Sequence, residues 1–292
     1  MRHTRTFCLA VAATAVTLGL TACGGASKGA SSVGAVAAPK MASVADAMAL
    51  VTKQTSAVTS MKVRMTETLP KIGTATASGL MSRNPLKGDM TISNPQLAQT
   101  LGTADVHVLM SGSVMYMNLG AQGAQELGGK HWMKLDFSSL GTAGQAMAKA
   151  MNQSSGQDPA AGIKLLTSST GIKRVGQETV DGVSTTHYAG DVDVKQLAAQ
   201  NLGTASDASL KTLVDQASGL GVNMEQVNVW VNAQNLPVRV SETADSTAGP
   251  VDITADYSDY SATPLTITPP PASDTVDFAE LLKQAQAAQS NG

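Results

Sequence analysis

The stretch Val175-Gly176-Gln177-Glu178-Thr179-Val180-Asp181-Gly182-Val183 decides the fold more clearly than any other part of the chain. Residues 175–180 and 183–190 have the Val- and Thr-rich composition of strands, and two residues separate them. An Asp-Gly pair in that position is typical of a two-residue β-hairpin turn, because the turn requires positive φ, which Gly adopts without steric cost. The sequence therefore predicts an antiparallel hairpin that turns at Asp181-Gly182.

The same strand pattern extends outward from this hairpin in both directions. In residues 104–110, Ala104, Val106, Val108 and Met110 alternate with polar residues. Similar alternation occurs in residues 62–69, 88–93, 115–119, 131–137, 227–233, 236–242 and 251–257. Such alternation is typical of an antiparallel sheet with one apolar face, and about ten strands are expected. Helical patterns lie near the start, in the middle and at the end, where Asp274 is expected to cap the last helix, so an α+β class is favoured.

Three stretches resemble one known group of proteins. They are residues 175–183 running on to His187-Tyr188, Val229-Trp230-Val231 with Leu236-Pro237-Val238-Arg239, and Tyr257-Ser258-Asp259-Tyr260 leading to Ile267. They resemble LppX/LprG-type bacterial lipoproteins of the LolA-like superfamily. The resemblance covers most of the chain after residue 43 and is strongest in residues 175–271. It departs from the family at Ser261-Ala262-Thr263, where relatives often carry Gly.

The resemblance implies an incomplete antiparallel β-barrel with helices packed over its concave face and an apolar cavity between them. Its motifs are hairpin and turn signatures, so what they imply about function is an analogy.

The first residues predict export and lipid attachment. Arg2 and Arg5 precede an apolar run, and Leu20-Thr21-Ala22-Cys23 is similar to a bacterial lipobox. We expect a lipoprotein signal peptide at residues 1–22, a lipidated Cys23 with a Gly-, Ser- and Ala-rich tether at residues 23–42, and a lipid-binding domain at residues 43–292. The expected location is the outer face of the cytoplasmic membrane, anchored through lipid on Cys23.

Composition narrows the classes of partner. Aromatic residues make up 3% of the chain against 42% apolar residues, and the formal net charge is −2. Without a basic block or interleaved aromatic residues, nucleic acid is not an expected partner. Cys8 and Cys23 are the two cysteines, so no disulfide is expected in the folded domain.

The chain carries no S-x-x-K, H-E-x-x-H, P-loop or dinucleotide-binding motif, and no enzyme activity or cofactor is expected. His107, His131 and His187 are too widely separated to favour a metal site. Asp245, Asp252, Asp256 and Asp259 could suggest calcium, but their spacing fits a solvated strand face better. No metal is therefore predicted.

Methionines concentrate on the apolar faces of the predicted strands. The simpler interpretation is that they fill gaps in an aromatic-poor core, and copper(I) binding is a more distant one. The functional interpretation is that flexible methionines line a cavity for varied apolar ligands. The cavity candidates are Met65, Met90, Val108, Met110, Met115, Met117 and Met133.

The predicted function is carriage of a lipid or lipidated molecule in this cavity, without catalysis. The alternative is a sensory or interaction lipoprotein that docks an envelope protein and holds no exchangeable lipid. Cavity volume distinguishes the two, because a domain filled by its own side chains favours the alternative.

Overall fold

The computed structural model describes residues 43–70, 73–83, 85–142, 144–145, 148, 159–169, 171–201 and 208–290. The predicted signal peptide, Cys23 and the tether lie outside these residues. Seven α-helices occur within them. They are α1 (Val44–Ala57), α2 (Pro95–Leu101), α3 (Gly120–Glu126), α4 (Pro159–Ser168), α5 (Val194–Asn201), α6 (Ala208–Gly219) and α7 (Phe278–Ser290).

The described residues also form twelve strands that belong to one sheet. The strands are β1 (Ser60–Leu69), β2 (Gly73–Ser82), β3 (Lys87–Ser93), β4 (Asp105–Ser111), β5 (Val114–Asn118), β6 (Trp132–Asp136), β7 (Lys173–Val180), β8 (Val183–Asp193), β9 (Met224–Val231), β10 (Pro237–Ser246), β11 (Gly249–Ser261) and β12 (Thr275–Asp277). Their order is β12-β6-β5-β4-β3-β2-β1-β11-β10-β9-β8-β7. The two halves of the chain therefore meet in the middle of the sheet, where β1 pairs with β11.

The sheet does not close on itself, since β12 and β7 are its two edges. All neighbouring strands pair antiparallel except β12 and β6, which pair in parallel. The predicted α+β class with an incomplete, mainly antiparallel barrel is confirmed. The parallel edge pair is a feature that the alternation pattern did not indicate.

The hairpin between β7 and β8 turns where the sequence predicts. Val180 pairs with Val183, and the two residues between them have φ of 47° at Asp181 and 81° at Gly182. Positive φ at both central positions is the geometry of the turn whose twist matches the strands beside it. The predicted turn is confirmed, and Gly182 has the positive φ expected of it.

The main core lies between one face of the sheet and helices α1, α4, α5 and α6. A capping box between Ser43 and Asp46 starts α1, which buries Met48 and Val51. Helix α4 packs against β8, β9 and β10 and fully buries Ile163 and Leu166. Burying a side chain of this size contributes about 1.5–3 kcal/mol, so the helices are fixed on the sheet mainly by apolar contact.

The C-terminal cap differs from the prediction. Asp274 does not cap the last helix, because residues 275–277 first form strand β12 beside β6. Asp277 takes that role, and its carboxylate accepts a hydrogen bond of 3.0 Å from the backbone N–H of Ala279. Asp274 instead accepts a 3.0 Å hydrogen bond from the backbone N–H of His131. The expectation for Asp274 was therefore wrong, because a short edge strand is defined by its partner strand rather than by local pattern.

Candidate functional site

A cavity of about 730 Å³ lies between the sheet and helices α4 and α6. Seven strands, β1–β5, β10 and β11, contribute apolar side chains to its wall, and β9 contributes Glu225. The apolar lining residues include Met65, Leu69, Met81, Leu86, Met90, Ile92, Val108, Met110, Met115, Met117, Leu165, Leu213, Val222, Val251 and Ile253. The volume is within the range of about 300–1,000 Å³ that is typical of small-molecule sites.

Strand register explains why the predicted methionines meet. Met90 lies opposite Val108, and Val108 lies opposite Met117 on the next strand. Met110 and Met115 face each other across the hairpin between β4 and β5. Because neighbouring residues in register point to the same face, the methionines form one surface of adaptable apolar side chains.

The structure places six of the seven cavity candidates in the wall: Met65, Met90, Val108, Met110, Met115 and Met117. Met133 lies on β6 and pairs with Met117 on β5, but it is not one of the lining residues. Their part in ligand binding stays a prediction. The space beside them shows that these side chains do not fill the region between sheet and helices.

Three carboxyl groups give the cavity a polar end. Glu67 on β1 lies opposite Ile253, and Ile253 lies opposite Glu242 on β10. Glu225 on β9 is beside Glu242, and their side chains hydrogen bond to each other. We call this group the acidic end (Glu67, Glu225, Glu242).

Burial disfavours the charged form of these carboxyls. It raises the pKa of Glu67 above its ordinary value of 4.5. Burial, with the neighbouring Glu242 charge, raises the pKa of Glu225 to about 8. Burial raises the pKa of Glu242 to about 7, although the hydrogen bond from Glu225 opposes that rise. Near neutral pH, a proton shared between the two carboxyls therefore holds the pair together.

Helix α4 approaches this end closely because it carries Gly162. A Cβ at that position would lie 2.5 Å from Cγ1 of Val240 and 3.2 Å from Oε1 of Glu242. Glycine inside a helix costs about 1 kcal/mol relative to alanine, so a packing reason is expected for it. Here the reason is the close contact with β10 beside the Glu242 carboxyl.

The acidic end was not among the sites predicted from the sequence. Each of its residues occupies an apolar phase of its strand: Glu67 lies between Met65 and Leu69, Glu225 precedes Val227, and Glu242 lies between Val240 and Ala244. A charged residue on the apolar phase points inward, because side chains alternate with period two. That local signal was available in the sequence.

The histidines are held by separate partners. His107 Nε2 lies 2.7 Å from Asp89 Oδ1, and His131 Nδ1 lies 2.9 Å from Asp274 Oδ1. His187 lies on another part of the sheet, where its Nδ1 is 2.8 Å from Glu178 Oε1. Within the described residues, no group of three His, Cys, Asp or Glu side chains is arranged to hold a metal ion.

The His187 ring is held further by an aromatic contact. It stacks on Trp230 with ring centroids 4.3 Å apart. Trp230 Nε1 donates a 2.7 Å hydrogen bond to Glu178 Oε2, and this bond, with that from His187, lowers the pKa of Glu178. The contacts tie β7, β8 and β9 together.

Asp256, one of the carboxylates considered for calcium, is held by arginines. Arg239 Nε donates a 2.6 Å hydrogen bond to Asp256 Oδ1, and Arg64 Nε lies 3.4 Å from Asp256 Oδ2. Arg64 Nη2 also donates to Asp181 in the hairpin turn at 3.0 Å. These contacts join the turn to β1, β10 and β11.

An open sheet with helices over an apolar cavity is the class of protein predicted from the sequence. An uncharacterized 31.2 kDa protein from the rplA–rplJ intergenic region of Streptomyces griseus is 34% identical over 254 residues, which cover 84% of this chain and 83% of that protein. The chain belongs to the family of this Streptomyces griseus protein. A candidate lipoprotein of Streptomyces coelicolor is 29% identical over 248 residues, which cover 82% of this chain and 76% of the relative. No protein-family model matches the chain.

Solved structures similar to this chain include two mycobacterial proteins. Mycobacterium tuberculosis lipoprotein LppX is 18% identical with a TM-score of 0.47, over 77% of this chain and 100% of LppX. LprF from Mycobacterium bovis is 17% identical with a TM-score of 0.47, over 78% of this chain and 98% of LprF. A LolA superfamily protein of Nitrosomonas europaea is 13% identical with a TM-score of 0.25, over 76% of this chain and 94% of that protein. LppX is a member of the group of proteins that the sequence resembles.

In the part of the chain that the structure describes, no helix is both long enough and apolar enough to cross a bilayer.

Proposed function

We propose that this protein is a membrane-anchored lipoprotein that binds and carries a lipid or lipidated molecule in the apolar cavity. The observation that carries the proposal is the cavity of about 730 Å³ between the sheet and helices α4 and α6. The anchor is lipid on Cys23, and the site of action is the outer face of the cytoplasmic membrane. Binding involves transfer of apolar surface out of water, and no catalytic step takes part.

Support for the anchor comes from the sequence and from a relative. Leu20-Thr21-Ala22-Cys23 has the lipobox pattern, and the Streptomyces coelicolor relative is named as a candidate lipoprotein. Stable membrane attachment takes two acyl chains, and a diacylglyceryl group on Cys23 provides them. The anchor keeps the cavity close to the surface from which a lipid is taken.

The energetics favour a long apolar ligand. Burial of apolar surface contributes about 25 cal/mol per Å², so a chain that buries about 300 Å² gains about 7.5 kcal/mol. Association costs about 4–15 kcal/mol in lost freedom, which means that a short chain would bind weakly. The cavity therefore suits a lipid chain better than a small solute.

Extraction of lipid from the purified protein tests the proposal. The protein is purified from membranes of its own host, washed to remove loose lipid and extracted with organic solvent for mass spectrometry. Retention of a defined lipid at a near-stoichiometric ratio supports carriage. An extract without enriched lipid, together with no binding of an apolar dye, overturns it and favours the interaction lipoprotein.

A further inference from the structure

The cavity has two chemically different ends. Glu67 is six residues from Met61 along β1, and Met61 pairs with Met81, which lines the cavity. Six residues of strand span roughly 20 Å, at roughly 3.3 Å each. From Met81 the same row of the sheet continues through Gly88 to Met110 and Met115. We call this part the methionine end (Met81, Leu86, Met110, Met115), and it lies opposite the acidic end.

The acidic end has no compensating charge in its own wall. The described residues that line the cavity include Glu67, Glu225 and Glu242 but no lysine, arginine or histidine. Lys164 lies on α4 above this wall. On α6, Lys211 and Asp215 form an ion pair, and each of these two side chains is more than half exposed. Glu225 and Glu242 hydrogen bond to each other, but the negative charge that remains on the pair has no cation to balance it in the described wall, and such charge is costly in a partly buried site.

We propose that the cavity takes an amphiphile with a protonated amine as its headgroup, held at Glu225 and Glu242, with its apolar chain directed towards Met110 and Met115. This inference rests on the proposed function and specifies its ligand class. An ammonium group supplies three donors and one positive charge, and its hydrogen bonds to carboxylates are about twice as strong as neutral ones. An anionic headgroup would place like charges together in a wall that contains no described cation.

The dimensions agree with one chain per cavity. The roughly 20 Å between the two ends exceeds the roughly 15 Å that one leaflet contributes to a hydrocarbon core of about 30 Å. A single long chain can therefore extend from the acidic end to the methionine end. Because burial keeps protons on Glu225 and Glu242, an incoming amine must displace a proton, and its affinity should rise from about pH 5 to about pH 8.

The test compares three amphiphiles that share one alkyl chain: dodecylamine, dodecanol and dodecanoate. The mature chain from residue 23 is used with Cys23→Ser, which removes the acyl anchor and the need for detergent. Each amphiphile displaces the neutral dye N-phenylnaphthylamine from the cavity. The same titrations are made on Glu225→Gln/Glu242→Gln, with Glu126→Gln, an exposed glutamate on α3, as the matched control.

We expect dodecylamine to bind most tightly and dodecanoate most weakly in the parent. Loss of a charged hydrogen bond worth about 1.5–3 kcal/mol should weaken dodecylamine about tenfold or more in the double variant, with dodecanol unchanged. The rise of amine affinity with pH should also disappear, whereas Glu126→Gln should keep both properties.

Equal or tighter binding of dodecanoate by the parent overturns the headgroup inference and leaves carriage standing. This comparison needs no variant, so it holds even if the double variant does not fold. Absence of dye binding in the parent, together with an extract that contains no enriched lipid, overturns the proposed function itself.

Discussion

Glu225 and Glu242 hydrogen bond to each other on adjacent strands of the sheet, with both carboxyl groups facing an apolar cavity. One carboxyl of the pair donates the shared proton and the other accepts it. Since burial raises the pKa of both groups, the folded protein holds protons here that the unfolded chain releases. Ionisation of this pair therefore links the cavity to the stability of the whole domain.

Stability should fall as the pH rises from about 4.5 to about 8. Below about 4.5 both carboxyls are protonated in either state, and between 4.5 and 8 the folded state binds more protons than the unfolded state. The slope is roughly 1.4 kcal/mol per pH unit where that difference is one proton. Glu67, whose pKa burial also raises, adds to the trend with the same sign. Urea unfolding at several pH values measures it.

The double variant Glu225→Gln/Glu242→Gln should flatten this pH dependence, because amides do not titrate. Glu126→Gln should leave it unchanged. If parent and double variant show the same slope, another group controls the pH dependence and the buried pair has been misjudged.

Gly182→Val should destabilise the domain by about 1–3 kcal/mol. Gly182 has φ of 81°, and an added Cβ would meet nothing within 4 Å, so the cost arises from backbone strain rather than from a clash. A domain of this size loses roughly 2–4 °C of Tm per kcal/mol, which calorimetry detects.

Gly176→Val is the matched control for that change. Gly176 lies on β7 of the same hairpin, also with nothing within 4 Å of an added Cβ and without positive φ. Valine is a good strand residue, so we expect little loss of stability there. An equal loss at both positions would mean that the turn geometry is not the cause.

Cys23→Ser should abolish acylation, because Cys23 is the cysteine of the predicted lipobox. We expect the variant either to appear in the medium or to retain its signal peptide. Growth with a clickable fatty acid followed by fluorescent detection measures the modification, and Cys8→Ser provides the control. Continued labelling of the Cys23 variant in the membrane fraction would rule out the lipobox.

Features that depend on neighbours along the chain could be predicted from the sequence. Alternation places Val106 and Val108 on one face, and Asp181-Gly182 defines its turn, because side-chain direction and turn geometry are local properties. The same alternation predicted on which face of the sheet Met90, Met110 and Met115 lie.

Features that depend on distant strands could not be predicted. Arg64 and Asp256 are 192 positions apart and meet because β1 pairs with β11, a pairing that no local pattern defines. The meeting of Glu225 and Glu242 depends likewise on the register of β9 and β10. Met133 has the same alternation as Met117, and its place outside the wall follows from the position of β6 next to the edge strand.

Met115→Trp should weaken binding of N-phenylnaphthylamine while costing little stability. Met115 lines the cavity on β5, and open space can accept the larger ring. Met48→Trp is the contrasting variant. Met48 lies on α1 and is 1% exposed in the main core, where added volume typically costs about 1–3 kcal/mol of stability. Dye titration and thermal melting are measured on both proteins. A loss of stability at Met115 as large as that at Met48, with dye affinity unchanged, would show that the space beside Met115 is not available to a ligand.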